Sequence, residues 1–395
     1  MSEARIPLAE PFLKGNEKAY VLECLDSNFV SSVGPFVRRF EEEFAKRVGS
    51  RFAIACASGT AALHVAMRLV GVEPGDEVFV PSLTFIASAN PIVYERGVPV
   101  FVDSEAESWN MDPGLVVDEL NRRAKAGLRQ PRAVEVVHLL GQPARIDDLV
   151  EACAKHGVAL IEDASEALGG NYTEGPFAGM QVGSIGQIGC FSFNGNKLLT
   201  AGGGGMITTN DPELARRAKH LTTQARLPGL EYRHDEIGYN YRLTNLAAAL
   251  GLAQLERLDD LLERKQANAR HYDSKLPDIA GLETGPRPSW SKPSYWLCSI
   301  TVDPAHFGRD SRETIEYLQT MNIEARPIWS PLHTQPMFAD SPRLGSCEVA
   351  ERLFARAISL PSGAGLSEAD RHRVTEALAQ GRRPAGAKPA QGAAQ

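Results

Sequence analysis

Between residues 52 and 209 the chain alternates short apolar runs with longer amphipathic ones, and few architectures accept that rhythm. Phe52–Cys56, Glu77–Val80, Val98–Val102, Ala133–Val137, Val158–Ile161, Gly189–Phe193 and Met206–Thr209 each read as a short strand. Helical spacing separates several of them, as in Leu63, Ala66, Met67 and Val70, or in Ile146–His156. Apolar strands joined by crossover helices predict an α/β fold, with a mostly parallel sheet covered on both faces. Ligands of such sheets bind beyond the carboxyl ends of the strands. Thr60, Phe85, His138, Asp163 and Lys197 all fall at or just past such ends. No G-x-G-x-x-G follows the first strand and no G-x-x-x-x-G-K-[ST] occurs, so neither a dinucleotide fold nor a P-loop is supported.

The flanks add two units. Gly15–Asp26 reads as a helix with Val21, Leu22 and Leu25 on its apolar side, and Phe36–Arg47 as a second with a Phe36, Phe40, Phe44 core stripe. Leu214–Leu221 is helical. Residues 222–245 then form a polar and aromatic loop too long for a neutral connector, and so functional or interfacial. Ala247–Tyr272 reads as one long helix with Leu252, Leu255, Leu258 and Leu262 on a face. Beyond it come strand Tyr295–Val302, helix Arg312–Met321, strand Ile323–Pro327 and helix Glu368–Ala379 with Ser367 as N-cap. The expected division is a large domain over 1–250, a smaller α+β domain over 251–380 and a disordered Ala, Gly, Pro and Gln tail over 381–395.

Composition removes several function classes. A net charge of −7 argues against nucleic acid as the main partner. No apolar run is long enough to span a bilayer, and the N-terminus lacks a signal-peptide core. The six cysteines are scattered with no C-x-x-C pair. That predicts no structural metal, no disulfide framework, and a reducing cytoplasm.

The chemistry centres on Lys197. It is the one charged residue in a polar elbow, Phe191-Ser192-Phe193-Asn194-Gly195-Asn196-Lys197, that precedes four glycines, Gly202–Gly205. Desolvation lowers an amine's pKa, and the neutral amine is the form that attacks a carbonyl. Ser58-Gly59-Thr60 sits where a strand turns into a helix. That turn is either an ordinary N-cap or an anion site made by free N–H groups and the helix dipole. Pyridoxal 5′-phosphate needs a lysine, an acid for its pyridine nitrogen, phosphate donors and something flat against its ring. Asp163 can be the acid, Ser58-Gly59-Thr60 and Ser192 can take the phosphate, and Phe85 can lie on the ring.

The chain resembles the DegT-type nucleotide-sugar aminotransferases, a branch of the aspartate-aminotransferase-like enzymes, over roughly residues 5–380. The motifs are Ser58–Leu63, Pro81–Phe85, Val137–Pro143, Ile161–Ala167, Phe191–Lys197 and Gly238–Asn245. The resemblance implies a three-layer large domain and a homodimer with shared active sites. It implies Lys197 as the Schiff-base lysine and acid/base, and Asp163 against the pyridine nitrogen. It places Glu166 by the phenolic oxygen, Thr60 and Ser192 on phosphate and Phe85 on the ring. Gly59, Ala61 and Asn194 belong to the same implied cofactor site, and Asn240 reaches it from the other subunit. Asn194 stands where many members have histidine. That feature, with Val30–Gly34 and Thr223–Arg226, is similar to the subgroup acting on UDP-linked 4-keto-6-deoxy-N-acetylglucosamine. The implied reaction passes the amino group of glutamate to that nucleotide sugar. Alternatives are amination at C3 and a non-catalytic regulator that binds the cofactor or a nucleotide. A sugar 3-dehydratase is disfavoured, since a histidine replaces the lysine in that branch.

Overall fold

The computed structural model describes residues 4–383. Its first half follows the expected rhythm. Helices α1 (Glu17–Asp26) and α2 (Pro35–Val48) precede β1 (Phe52–Cys56), α3 (Gly59–Leu69), β2 (Glu77–Pro81), α4 (Asn90–Tyr94) and β3 (Val98–Val102). Next come α5 (Pro113–Ala126), β4 (Ala133–Val137), α6 (Asp147–His156), β5 (Ala159–Asp163), β6 (Asn171–Tyr172), β7 (Ile188–Ser192), β8 (Gly205–Thr209) and α7 (Pro212–Thr222). The strands β1-β8-β7-β5-β4-β2-β3 stand side by side in that order. Pairing is parallel from β3 through β7, while β8 runs antiparallel to both its neighbours. Apolar clusters cover both faces, one holding Val134, Val136 and the α2 phenylalanines, the other Ile161, Cys190 and the apolar side of α3. The fold is therefore a three-layer α/β sandwich.

The second half begins at α8 (Asn245–Leu255) and α9 (Leu258–Lys275). These replace the single helix expected over Ala247–Tyr272. The chain breaks at Glu256, whose carboxylate accepts from Asn16 Nδ2 (2.8 Å) and Tyr20 Oη (2.6 Å). All four expected leucines are nonetheless buried. Beyond α9 lie β9 (Leu282–Thr284), β10 (Ser291–Lys292), β11 (Cys298–Val302), α10 (Pro304–Phe307), α11 (Ser311–Thr320), β12 (Arg326–Pro327), β13 (Arg343–Leu344), α12 (Glu348–Arg356), β14 (Ala357–Leu360) and α13 (Glu368–Gly381). An antiparallel sheet β12-β14-β11-β9 carries this α+β unit. Ser367 caps α13 in a reciprocal pair with Asp370.

The halves exchange segments. Ile6 joins the core of the second half and pairs with Ile323, while β13 returns to the edge of the large sheet beside β3. A division at residue 250 cuts α8. The two cores meet along α9, with Leu258 to Leu262 in one and Ala269 and Tyr272 in the other.

Three local expectations are corrected. Helix α1 buries Glu17 and Cys24 against α8 and leaves Leu22 and Leu25 exposed. The polar edge wins because Glu17 bonds Gly15 N–H (2.7 Å) and Gln254 Nε2 (2.5 Å), while Asn245 Nδ2 meets Cys24 Sγ (3.2 Å). The strand expected over Tyr295–Val302 starts only at Cys298, since Tyr295 has φ +52°, outside the strand region. The tail expected to be disordered from 381 is ordered as far as described: Gly381 closes α13, and Arg383 N–H donates to Phe307 O (3.0 Å). The remainder of that segment lies outside the described residues.

Candidate active site

The carboxyl ends of β2, β4, β5 and β7 and the N-terminus of α3 open onto one cavity of about 390 Å³. Gly59, Thr60, Phe85, Asp163, Glu166, Ser192, Asn194 and Lys197 all line it. These are residues the sequence singled out from positions 138 apart.

Lys197 lies in the turn between β7 and β8. Its N–H donates to Asn194 O (3.0 Å), and Ala201 N–H closes the elbow on Phe193 O (3.0 Å). The side chain is 14% exposed, and Nζ stands 3.8 Å from Glu166 Oε1. Burial pushes the Lys197 ammonium below its ordinary range, against the opposing pull of Glu166 and Asp163. Burial pushes the Glu166 carboxyl up, opposed by Lys197 and by the N–H of Leu140. Both groups lean toward their neutral forms, so a proton can pass between them without creating an isolated buried charge.

Asp163 ends β5 and is buried. Ser88 Oγ donates to its Oδ2 (2.9 Å) and Ser165 N–H to its Oδ1 (3.0 Å). Thr84 Oγ1 lies 2.9 Å behind Ser88 Oγ. The carboxylate is therefore fixed in orientation toward the cavity. On the wall beside it, Phe85 is 49% exposed, which excludes plain core packing. Its ring lies 5.0 Å from that of Trp329.

The donors at the α3 turn suit a phosphate. Ser58 is an N-cap, its Oγ accepting Ala61 N–H (3.0 Å). The first N–H groups of the helix have no intrahelical acceptor. Thr60, Ser165 and Ser192 hydroxyls border the same space. A Cβ on Gly59 would meet Ser192 Cβ at 2.8 Å, so the turn and β7 approach as closely as glycine allows. A lysine, an oriented carboxylate, an exposed aromatic face and a hydroxyl-lined helix N-terminus are the parts pyridoxal phosphate requires, and they face one space. The residues fit the group.

Three residues singled out earlier stand apart. Ala61 is buried in the first turn of α3, its N–H taken by the cap. Asn240 is exposed, outside this chain's cavity. His138 is fully buried and pins the fold: its Nδ1 accepts Ala144 N–H (3.0 Å), so its Nε2–H donates to Glu162 (3.0 Å). Burial pushes the Glu162 carboxyl up, but His138 and the N–H groups of Gly186 and Gly183 outweigh it. Conversely, Ser88, Trp296 and Trp329 line the cavity without a signal in the sequence, and Ser165 falls within the Ile161–Ala167 motif without a role assigned to it.

A protein of Bacillus subtilis (strain 168), EpsN, named as a candidate pyridoxal phosphate-dependent aminotransferase, is 44% identical over 378 residues, covering 95% of each chain. The GDP-perosamine synthase of Caulobacter vibrioides is 40% identical over 377 residues, covering 95% of this chain and 98% of its own. The crystal structure of S. venezuelae DesV in complex with a ketimine intermediate superimposes with a TM-score of 0.86 at 31% identity, over 97% of this chain and all of that one. The profile of the DegT/DnrJ/EryC1/StrS aminotransferase family matches residues 11–379, and the chain belongs to that family.

Proposed function

We propose that the protein moves the amino group of glutamate onto the C4 carbonyl of a UDP-linked 4-keto-6-deoxy-N-acetylhexosamine, releasing 2-oxoglutarate and a 4-amino sugar nucleotide. It is a sugar aminotransferase, and its cofactor is pyridoxal 5′-phosphate. When bound, that cofactor carries the amino group between the two substrates and draws off electron density from the reacting carbon. The observation that supports the reading most directly is the convergence of Lys197, Asp163 and Glu166 on the space in front of the α3 turn.

In this reading Lys197 Nζ takes a proton from one carbon and returns it to another. Its lowered basicity keeps the amine available for that task, and Glu166 at 3.8 Å takes up the charge as it changes. Asp163 fixes a proton on the pyridine nitrogen. Thr60, Ser192 and the Gly59 backbone anchor the phosphate with Ala61 one step along the helix, Asn194 lies at the rim, and Phe85 supports the ring. Asn240 reaches the phosphate of the partner subunit, so two chains complete each site. The exposed Leu230, Tyr232 and Ile237 in the loop at residues 223–244 support such an interface. Leu243 does not, because it is covered within one chain.

A second substrate reading has its own support. The GDP-perosamine synthase at 40% identity favours a GDP-linked sugar. Incubating the purified protein with glutamate and separate UDP- and GDP-linked 4-keto-6-deoxy sugars, with their 3-keto counterparts alongside, and measuring 2-oxoglutarate, decides between them. Product only with UDP sugars supports the main proposal. Product only with GDP sugars overturns it in favour of the second. Release with 3-keto sugars alone overturns both. Among the described residues no helix is long and apolar enough to cross a membrane, and all six cysteines are buried and free. We place the reaction in the cytoplasm.

A further inference from the structure

Trp296 is 1% exposed, yet neither its face nor its edge is spent only on apolar neighbours. Lys197 Nζ sits over the ring, 3.9 Å from the centroid. The indole N–H donates to Asn196 O at 2.7 Å, one residue before that lysine. The same side chain thus holds both the backbone that carries Lys197 and the amine at its tip. Trp296 is anchored in turn: Lys265, buried in α9, donates from Nζ to Trp296 O at 2.8 Å. Trp329 lies nearly parallel to it, centroids 6.3 Å apart, and donates from its indole N–H to Glu166 Oε1 (3.2 Å). That is the oxygen facing Lys197. The charged groups acting on the amine are Glu166 and Asp163.

We propose that Trp296 is a positioning residue for Lys197, its ring face being the seat on which the amine rests whenever Nζ is not bonded to the cofactor. The inference rests on Lys197 being the catalytic amine. A lysine side chain released into a cavity of this size has many rotamers, most of which carry Nζ away from the reacting carbon. The negative face of the indole narrows them to one region, beside Glu166, and favours the charged form of an amine that burial discourages. The seat belongs to the second half of the chain and the lysine to the first, so the distance between them is set by how the two halves pack.

The test uses the full chain loaded with pyridoxamine 5′-phosphate, where Lys197 Nζ is free. Competitive labelling with acetic anhydride across pH, read by peptide mapping, gives the midpoint at which Lys197 becomes reactive. Trp296→Met should move that midpoint to lower pH and slow the keto-sugar half-reaction about tenfold, with little change in KM. Trp296→Phe keeps a ring face without the N–H and should hold the midpoint near wild type. If the Met variant does not fold, protein grown with fluorinated tryptophan has the same shape and a depleted ring face, and should shift the midpoint in the same direction. A wild-type midpoint in the Met or fluorinated protein overturns the proposal, as does a Phe variant as impaired as Met. Full turnover by Lys197→Ala would instead overturn the assignment of the catalytic amine, and the labelling midpoint would still report the contact.

Discussion

Lys197 has a carboxyl on one side and an indole face on the other, with burial working against its charge. Borohydride reduction of the holoenzyme should therefore fix the cofactor to the peptide carrying Lys197 and to no other lysine. Lys197→Ala should lose turnover while its thermal melt stays close to wild type. Asp163→Asn keeps the shape held by Ser88 and Ser165 and removes the charge. Single-turnover rates should fall about 10²–10³-fold, as for loss of a charge-stabilising group at a reacting centre, with cofactor still bound. A near-normal rate would remove Asp163 from the chemistry. Much of this site was legible from residue types. A lone lysine in an apolar-flanked elbow and a Ser-Gly-Thr strand-to-helix turn carry local signatures. Ser88 and Trp329 carry none. Each matters through a partner 75 or 163 residues away, and no local pattern encodes such a meeting.

Strand β4 shows what an element imposes on its own residues. Register sets Glu135 opposite Ile161 in the middle of the sheet, and neither carboxyl oxygen has a hydrogen-bond partner. Burial first, then the nearby Asp163, pushes the Glu135 carboxyl well above the ordinary range. The folded protein then keeps a proton that the unfolded chain releases. Stability contributed by this group is greatest below the ordinary glutamate pKa and falls as pH rises toward the folded value. Glu135→Gln removes that dependence. In urea titrations its advantage over wild type should be near zero at about pH 4 and widen by up to about 1.4 kcal/mol per pH unit above it. A gap independent of pH would show that Glu135 is ionised in the fold. Other elements differ in how far the sequence announced them. Seven strands of the large sheet, β1 to β5, β7 and β8, are mostly apolar runs, and their expected ends are correct to within two residues. Helix α5 went unread although Asp112 caps it (2.8 Å to Gly114 N–H) and Gly127 ends it at φ +66°. Helix α12 and β14 were missed because β14 is four buried residues that make sense only between β11 and β12.

At the scale of the whole molecule, the loop at residues 223–244 projects Leu230, Tyr232 and Ile237 into solvent near the exposed Asn240. If a partner subunit receives Asn240 at its phosphate, two separately inactive variants should complement. Mixing Lys197→Ala with an inactive Asn240 variant, under conditions of subunit exchange, should restore up to about half of wild-type activity by site counting. Confirmed exchange without recovery, or an active enzyme that sediments as a monomer, would show that each chain builds its own site. The exchange of segments between the halves had no such sequence signal. Ile6 in the far core and β13 on the large sheet depend on contacts more than 200 residues long. The sequence by itself determined seven strands of the large sheet, the order of their chemistry along the chain and the placement of Thr60, Asp163 and Lys197 at strand ends, because strand period and strand-end placement are local properties. Only the tertiary structure decided which face of α1 is buried, where the long helix breaks and which indoles stand against Lys197. Each of those outcomes is a competition among distant surfaces, and the winner is the arrangement that leaves the fewest polar groups unpaired and the least apolar surface wet.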